Sequence, residues 1–287
     1  MVRHYTKLLI LILLTTCTKN TLFDDEVGDT DGLTIRGKIL LDKDSKPDNI
    51  YVWLGILNLG TYTDIAGNFK LELPHPESQP QKGISGEYPL YYYVANYKID
   101  SSSVSLLNGK VIYNKSDINK DGEIRETIIL KKLLTIYTSI TPTTYSKDYY
   151  AYIQADLLLK SEFEQVSIRI FKYQRDMNWF TNIFFRNIDE NTDDILFYRT
   201  STLLREEEIE GERRLYMPIH TDSIRLETGT YEVIPYLKII QENIPEGLMK
   251  SIGEDQVFVD STFLTIPYKR QNAYLTVTPA VNNKLQD

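Results

Sequence analysis

The sequence has few of the residues from which most catalytic and metal sites are built. It contains one cysteine, Cys17, and three histidines among its 287 residues. His75 and His220 are the only histidines after the first 16 residues, so the sequence predicts neither a zinc cluster nor a histidine-activated thiol. A Gly-x-Ser-x-Gly nucleophile motif and a glycine-rich phosphate loop are also absent. We therefore expect a protein that is not an enzyme and that needs no cofactor.

Positive charge is scarce as well. The chain has 32 Lys and Arg against 40 Asp and Glu, a net charge of −8. Arg3 and Lys7 lie in the first 16 residues, which have no acidic residue, so the rest of the chain carries −10. Nucleic-acid binding needs clustered positive charge, and attraction to anionic lipid needs it too. The charge therefore predicts no nucleic-acid partner and no electrostatic binding to membranes.

The apolar run near the start is too short to span a bilayer. Leu8–Leu14 is seven residues long, whereas a membrane-spanning helix needs about 20. With Arg3 and Lys7 beside it, this run predicts a signal peptide over residues 1–16. Leu14-Thr-Thr-Cys17 resembles the lipobox of bacterial lipoproteins, with Thr16 where that family prefers Gly, Ala or Ser. The resemblance implies a lipid on Cys17. The alternative is an ordinary secretory signal that leaves Cys17 as a free thiol.

Residues 17–32 are predicted to be a flexible tether. They are rich in acidic residues and poor in apolar ones, so they cannot bury enough surface to fold. An acidic segment near a lipidated cysteine also resembles the surface-export signals of some Bacteroidetes lipoproteins. We therefore expect the protein in the bacterial cell envelope, held by its lipid to the outer membrane. Which face of that membrane it occupies is left open.

The composition after the tether predicts an all-β protein. Tyrosine is abundant, with 21 residues, β-branched residues are common, and amphipathic helical periodicity is nearly absent. About 255 ordered residues are too many for one small sandwich and fit two domains. We expect two β-sandwiches in tandem.

The first domain is predicted over residues 33–134, around the segment Thr63-Asp-Ile-Ala-Gly-Asn-Phe-Lys-Leu71. Thr61–Thr63 and the alternating residues from Phe69 to Leu73 predict the two strands of a β-hairpin, joined by a tight turn at Asp64–Gly67 with Gly67 at positive φ. With Ile50-Tyr-Val-Trp53 before it and Val94–Ile99 after it, the segment resembles the carboxypeptidase regulatory-like domain. That family has a transthyretin-like β-sandwich and no catalytic residues of its own. Asn96 stands where the family has a turn glycine, and asparagine also tolerates left-handed geometry.

The second domain is predicted over 146–278, after a junction at 135–147 and before a tail at 279–287. Alternation predicts strands at Ala151–Leu159 and Val166–Ile170. Further strands are predicted at Trp179–Phe185, Ile195–Tyr198, Leu215–Ile219, Tyr231–Ile240, Val257–Ile266 and Ala273–Val277. The segment Leu226–Val233 resembles the Gly-x-Tyr strand entry of immunoglobulin-like domains, which implies that Tyr231 braces a corner. The charge-dense segment Arg205–Arg214 is predicted to be a solvated hairpin tip around Gly211 rather than a binding patch.

One motif indicates a metal. Asp117-Ile-Asn-Lys-Asp-Gly-Glu-Ile124 resembles EF-hand-like and dockerin-like calcium loops, with Asp117, Asn119 and Asp121 as candidate ligands. The twelfth position, which should supply a carboxylate, is Ile128. The alternative interpretation is an Asx-rich turn before the last strand of the domain.

A ligand-binding face is predicted on the first domain. Because Ile50, Val52, Leu54 and Ile56 point to the core, Tyr51 and Trp53 must point the other way. Tyr62 lies on the strand that follows and completes an aromatic patch with them. The alternative is that the second domain or the loop at 74–87 covers this patch.

These features favour a non-enzymatic, lipid-anchored cell-envelope protein that acts as a binding or scaffold module. Its partners would be the membrane, through the lipid, and a protein or a polysaccharide. Two alternatives stay open. Fimbrial subunits of Bacteroidetes are also lipoprotein precursors with two transthyretin-like domains, which implies a structural surface subunit. A carbohydrate-binding lipoprotein is the other.

Overall fold

The computed structural model describes residues 32–43, 45–113, 115–147, 152–163, 165–174, 177–189, 195–253 and 260–280. The predicted signal peptide, Cys17, nearly all of the tether and most of the tail lie outside the described residues. Within the described part, no helix is long and apolar enough to cross a membrane. The protein is all-β, as predicted, and its strands form two domains in tandem.

The first domain is a sandwich of two sheets. Its strands are β1 (Thr34–Leu41), β2 (Tyr51–Leu54), β3 (Leu59–Tyr62), β4 (Asn68–Glu72), β5 (Gly86–Tyr93), β6 (Asp100–Leu107), β7 (Lys110–Val111) and β8 (Ile128–Leu130). One sheet has the order β4-β1-β8 and the other β3-β2-β5-β6-β7. The alternating apolar residues of both sheets meet in one core, with Ile39, Val52 and Leu90 fully buried.

The predicted turn at Asp64–Asn68 is present, but it connects two sheets. The Asp64 carboxylate accepts hydrogen bonds from the backbone N–H groups of Ala66 at 2.9 Å and Asn68 at 2.8 Å. Gly67 has φ of +83°, as predicted. However, β3 pairs with β2 and β4 pairs with β1, so the segment is not a hairpin. The turn carries the chain from one sheet of the sandwich to the other.

The second domain surrounds its core with three sheets. Its strands are β9 (Leu134–Thr141), β10 (Thr144–Ser146), β11 (Tyr152–Ser161), β12 (Val166–Phe171), β13 (Ile183–Asn187), β14 (Ile195–Tyr198), β15 (Leu204–Ile209), β16 (Glu212–His220), β17 (Gly229–Pro235), β18 (Leu237–Ile239) and β19 (Ala273–Thr278). The sheet orders are β10-β19-β17-β13-β14, β16-β11-β9 and β15-β12-β18. All three sheets contribute buried residues to one apolar cluster. A short helix, α1 (Leu248–Ser251), and a 3-10 helix, Ser261–Thr265, lie between β18 and β19.

The predicted domain boundary is wrong. Strand β9 pairs along its length with β11, so the second domain begins at Leu134 and not at residue 146. Leu134, Ile136 and Ile140 are buried in the second core, which is why the segment is a strand and not a linker. The connection between the domains is therefore only residues 131–133. The strand predicted at Val257–Ile266 is also wrong where it is described, because Ser261–Thr265 is helical.

The charge-dense segment is not a hairpin either. Strand β15 pairs with β12, whereas β16 pairs with β11 in another sheet. Gly211, with φ of +67°, turns the chain between the two sheets. Its N–H donates to Ser161 Oγ at 2.7 Å, and its carbonyl accepts from the Ser161 N–H at 2.8 Å. Ser161 ends β11, so these bonds join the place where the chain leaves this sheet after β11 to the place where it enters the sheet again before β16.

The tyrosine predicted to brace a corner does so. The Tyr231 hydroxyl donates to the backbone carbonyl of Glu227 at 3.1 Å, four residues upstream. Its ring is buried in the second core. This is the hydrogen bond that defines the tyrosine corner of immunoglobulin-like sandwiches.

Candidate functional site

The predicted ligand face of the first domain is buried. Tyr51 and Trp53 do point away from the core residues Val52 and Leu54, but only 5% and 4% of their surfaces are exposed. They belong to an interface cluster that both domains build. Its buried members are Tyr51, Trp53, Tyr93, Ala95, Phe171, Phe184, Ile234, Tyr236, Leu248, Met249, Ile252, Phe263 and Ile266. The alternative weighed for this face, cover by the second domain, is what the structure shows.

The cover comes from α1 and from the 3-10 helix at Ser261–Thr265. The Tyr51 hydroxyl donates to Ser251 Oγ at the end of α1, at 3.0 Å. Phe263 packs its ring 4.7 Å from that of Tyr236. The Trp53 indole N–H donates to Asn58 Oδ1 at 3.2 Å, so its polar atom is satisfied within the first domain. Neither Tyr51 nor Trp53 is available to a ligand in this arrangement.

The third residue of the predicted face, Tyr62, stays partly exposed, and one predicted core residue, Ile56, does not reach the core. Tyr62 is 43% exposed, with its ring centroid 5.0 Å from that of Tyr51. Partial burial, and to a smaller extent the nearby Tyr51, raises the pKa of the Tyr62 phenol. Ile56, predicted to face the core, is exposed because β2 ends at Leu54 and Gly55–Leu57 forms a 3-10 turn.

Hydrogen bonds close the interface beside the apolar cluster. Asn96 is fully buried, and its side-chain amide donates to the carbonyls of Leu134 at 3.0 Å and Lys269 at 2.8 Å. Its Oδ1 accepts from the Lys269 N–H at 2.9 Å. Asn96 is not among the residues with positive φ, so it does not use the left-handed geometry that asparagine tolerates. Gln241 of the second domain donates to the carbonyls of Ala95 and Tyr97. These bonds fix the two domains to each other.

A row of aromatic side chains is exposed on the second domain. It consists of Tyr173, Trp179 and Tyr216, and we call it the aromatic row. The ring centroids of Tyr173 and Trp179 are 5.7 Å apart, and those of Trp179 and Tyr216 are 5.6 Å apart. Tyr173 is 53% and Tyr216 36% exposed, and Trp179 is half-buried between them. Three adjacent aromatic rings in contact with water form the kind of apolar patch that marks a binding surface.

The pairing of the strands brings the aromatic row together. Tyr216 faces outward on β16 because Leu215 and Met217 on either side of it are buried. The segment around Trp179 adds to the edge of β16, since the Tyr216 N–H donates to the Asn178 carbonyl at 2.8 Å. The Tyr173 N–H in turn donates to the Trp179 carbonyl at 3.2 Å. Backbone bonds therefore fix the spacing of all three rings.

A buried ion pair braces the loop that carries two of these rings. The Lys172 side chain is fully buried and pairs with Glu207 of β15, whose side chain is only 11% exposed. Arg213 Nη1 lies 3.3 Å from the other oxygen of Glu207. Arg213 also reaches the Asn178 side chain at 3.5 Å. Tyr173 directly follows Lys172, and Trp179 directly follows Asn178. The charge network beneath the surface therefore holds both of these rings.

Polar side chains lie beside the aromatic row on the same sheet face. Asp156 of β11 is directly opposite Tyr216, and residues that pair across strands share a face. Gln154 donates to Asp156 Oδ1 at 2.8 Å. Arg214, two residues from Tyr216 on the same face, is exposed. The surface therefore combines apolar rings with hydrogen-bond donors and acceptors.

Alternation in the sequence points to Trp53, but Trp53 is buried and Trp179 is the tryptophan in contact with water. The chain has two, and Trp53 lies in a clear alternating strand, whereas Trp179 lies outside any regular strand. The alternation around Tyr216 was a usable signal, because it places that ring on the solvent face. The partners of Tyr216 could not be identified, since Tyr173 and Trp179 come from a segment some 40 residues earlier in the chain.

The predicted calcium loop is a tightly bonded turn. Asn119 Oδ1 accepts from the N–H groups of Asp121 and Glu123, both at 2.9 Å. The Asp117 carboxylate accepts from the Ser103 N–H at 2.7 Å. In the described part of the chain, no group of three or more His, Cys, Asp or Glu side chains could hold a metal ion. The loop has the geometry of the alternative, an Asx-rich turn, and calcium binding by it stays a prediction.

The histidines are in separate structural contexts. His75 precedes the 3-10 turn Pro76–Ser78 of the first domain, whereas His220 ends β16 and packs edge-on against the Tyr152 ring. The strongest pKa shifts belong to groups in packed surroundings. Burial raises the pKa of the Tyr97 phenol to about 12, although its hydrogen bond with Ser45 opposes the shift. None of these groups lies in an arrangement of nucleophile and base.

Comparisons with known proteins give little. No protein-family model matches the chain, and no curated protein matches it. Two similar solved structures are the major pilin subunit BcpA of Bacillus cereus and the TIE protein of Bacillus anthracis, each at 10% identity and a TM-score of 0.21. The matches cover 70% and 73% of this chain but only 63% and 48% of those chains. Likeness at this level carries no argument about function.

Proposed function

We propose that the chain is a non-enzymatic, lipid-anchored protein of the bacterial cell envelope that binds a polysaccharide through the aromatic row. The observation that carries the proposal is the exposed contact of Tyr173, Trp179 and Tyr216. The C–H faces of sugar rings are apolar and pack on aromatic rings. Sugar hydroxyls need donors and acceptors, which Asp156 and Arg214 supply beside the row.

The tilt of the rings favours one type of polysaccharide. Neighbouring ring planes in the row are inclined by 49° and 71°, so they do not form one flat strip. A flat crystalline glycan surface needs coplanar rings. A soluble chain, whose successive sugars are rotated, can present a different face to each ring. The partner is therefore a soluble or hydrated polysaccharide chain.

The interface cluster supports a role in presentation rather than catalysis. Thirteen buried residues and the Asn96 and Gln241 hydrogen bonds join the domains, so the aromatic row has a fixed place relative to the first domain. The first domain leads back through its N-terminal end to Cys17. A lipid there would anchor a rigid module that holds glycan near the membrane.

Electrophoresis through gels that contain soluble glucan, mannan or xylan tests the binding. We expect at least one of these to retard the wild-type protein, and Tyr216→Ala to abolish the retardation. Tyr62→Ala is the matched control, because Tyr62 is similarly exposed but lies on the other domain. Unchanged migration of the wild type in all three gels, or equal loss in both variants, contradicts the proposal.

The anchor has a separate test. Cys17→Ala removes the only thiol of the chain and should shift the protein from the membrane fraction to the soluble fraction. Retention of the variant in membranes would show that the attachment does not depend on a lipid at Cys17.

The fimbrial alternative has less support. Polymerisation by strand exchange needs a strand that can leave its sheet. The first strand of the described chain, β1, lies between β4 and β8, and the last, β19, lies between β10 and β17. Ile35, Ile39, Leu275 and Val277 on these strands are buried. Release of either strand would split a sheet and open a core, so we rank this function second.

A further inference from the structure

The side chain that continues the aromatic row across the sheet is Asp156. Trp179 is the bridge partner of Tyr216 on one side, and Asp156 of β11 is its partner on the other. Residues directly opposite each other in a sheet have Cβ atoms about 4.5–5.5 Å apart. Asp156 faces outward because Ala155 and Leu157 on either side of it are buried. A ligand that lies along the aromatic row therefore meets the Asp156 carboxylate directly after the Tyr216 ring.

The Asp156 carboxylate has no cationic partner among the described residues. Gln154 donates to its Oδ1 at 2.8 Å, and no other described residue donates a hydrogen bond to it. Among the ion pairs of the described part of the chain, none involves Asp156. The side chain is half-buried, so water surrounds it only in part. An uncharged amide thus holds the carboxylate in place and leaves its second oxygen for a ligand.

The cations of the same three strands are engaged elsewhere or lie far away. The Arg214 Nε and Nη2 atoms lie 3.3 and 3.2 Å from Glu212 Oε1. The Arg213 Nη1 atom lies 3.3 Å from Glu207. Lys160, the remaining lysine or arginine of β9, β11 and β16, is four residues along β11 from the free carboxylate, which is about 13 Å. None of these three groups neutralises that carboxylate.

The aromatic rings favour the same charge as Asp156 does. The face of an aromatic ring carries a partial negative charge, which attracts an ammonium group and repels an anion. Tyr216 presents such a ring next to the carboxylate, and two more rings of the row follow it. The net charge of the chain, −8, acts in the same direction. A positively charged ligand is therefore attracted by every part of this surface, and a negatively charged one is repelled.

We propose that the aromatic row binds a polysaccharide whose sugars carry free amino groups, with Asp156 as the residue that binds an ammonium group. This inference rests on the proposed function and names the class of glycan. An amino sugar keeps the apolar C–H face that packs on the rings. Its ammonium group donates a charge-assisted hydrogen bond to the free carboxylate oxygen, which a neutral sugar does not. Polysaccharides of uronic acids or sulfated sugars are excluded by charge.

A matched pair of oligosaccharides tests the preference. The tetramers of glucosamine and of N-acetylglucosamine have the same backbone, and only the first carries ammonium groups. Calorimetry at a pH of about 6, where amines keep their protons, gives both dissociation constants. We expect the glucosamine tetramer to bind the wild-type protein about tenfold more tightly, which is the effect of one charge-assisted hydrogen bond. Equal affinity for the two tetramers would overturn the inference.

Asp156→Asn should remove the preference. The substitution keeps the shape of the side chain and the oxygen that accepts from Gln154, so the acetylated tetramer should bind as before. Asp222→Asn is the matched control, because Asp222 is an exposed carboxylate of the same domain that lies six residues from Tyr216. Equal loss in both variants would show an effect of net charge and contradict the site. In the wild type, added sodium chloride should weaken binding of the glucosamine tetramer only, and this measurement needs no variant.

The outcomes separate this inference from the proposed function. If both tetramers bind equally and Tyr216→Ala abolishes both interactions, the aromatic row binds glycan but Asp156 does not select amino sugars. If no sugar binds and no polysaccharide retards the protein, the proposed function fails and this inference fails with it. Tetralysine is the control for charge without a sugar ring. Binding of tetralysine as tight as that of the glucosamine tetramer would contradict recognition of an amino sugar.

Discussion

Substitution of Gly67 by alanine should destabilise the first domain far more than its small size suggests. Gly67 has φ of +83°, where an L-residue costs about 1–2 kcal/mol. An added Cβ would also lie 2.1 Å from the backbone carbonyl oxygen of Ile39 and 2.9 Å from Cβ of Pro47. The turn cannot move freely away, because the Ile39 N–H donates to the Gly67 carbonyl at 2.9 Å.

The magnitude follows from these two contributions. The clash can be relieved only if the turn separates from β1. This separation breaks the hydrogen bond between Ile39 and Gly67, which costs about 1 kcal/mol, and it loosens the packing of the turn on β1. Together with the backbone strain, we expect a loss of about 2–4 kcal/mol in the free energy of unfolding. Urea denaturation measures this loss, and amide hydrogen exchange of β1 and β4 should localise it.

Gly211→Ala provides the control for backbone strain alone. Gly211 also has positive φ, at +67°, but nothing lies within 4 Å of the position of its Cβ. We expect Gly211→Ala to cost about 1–2 kcal/mol, from its dihedral angle only. If Gly67→Ala lowers the free energy of unfolding by no more than Gly211→Ala does, the predicted clash between the turn and β1 is wrong.

Three further predictions concern the packing and the charges. Trp53→Ala should cost about 3–5 kcal/mol by calorimetry, because it empties the centre of the interface cluster, whereas Tyr62→Ala should be nearly neutral. Glu207→Gln should cost about 3 kcal/mol in urea denaturation, because it removes the carboxylate charge that pairs with the buried Lys172 ammonium; no loss would show that the pair is dispensable. The pKa of Tyr97 is raised from 10.0 to about 12, so the unfolded chain loses this proton first and stability should fall as pH rises through that range. Tyr97→Phe should reduce this alkaline loss in pH-dependent melting.

Local patterns in the sequence predicted much of the fold correctly. The Asp64–Gly67 turn and the Tyr231 corner depend on interactions within four residues, and both are present. Alternation also placed Val52 and Trp53 on opposite faces of β2. What alternation cannot show is which strands pair, so two turns that connect separate sheets were interpreted as hairpins.

The interface and the aromatic row depend on contacts between distant segments. Helix α1 has four residues, too few for a helical periodicity to be visible, yet it covers Tyr51 and Trp53. The sequence marks Asn96 only as a replacement for a turn glycine, whereas its side chain bonds to Lys269, 173 residues later. Similarly, Trp179 is next to Tyr216 only because β16 accepts an extra segment at its edge. No local signal marks any of these contacts.

The central claim is that glycan binds at the aromatic row and not at the face of the first domain. The chain has two tryptophans, so its indole N–H groups give two resonances in a ¹⁵N-correlated NMR spectrum. Trp53 is buried with its indole bonded to Asn58, whereas Trp179 is half-buried within the row. Titration with oligosaccharides of a polysaccharide that retards the protein should shift the Trp179 resonance and leave that of Trp53 in place. A shift of Trp53 alone, or of neither resonance, would contradict the account.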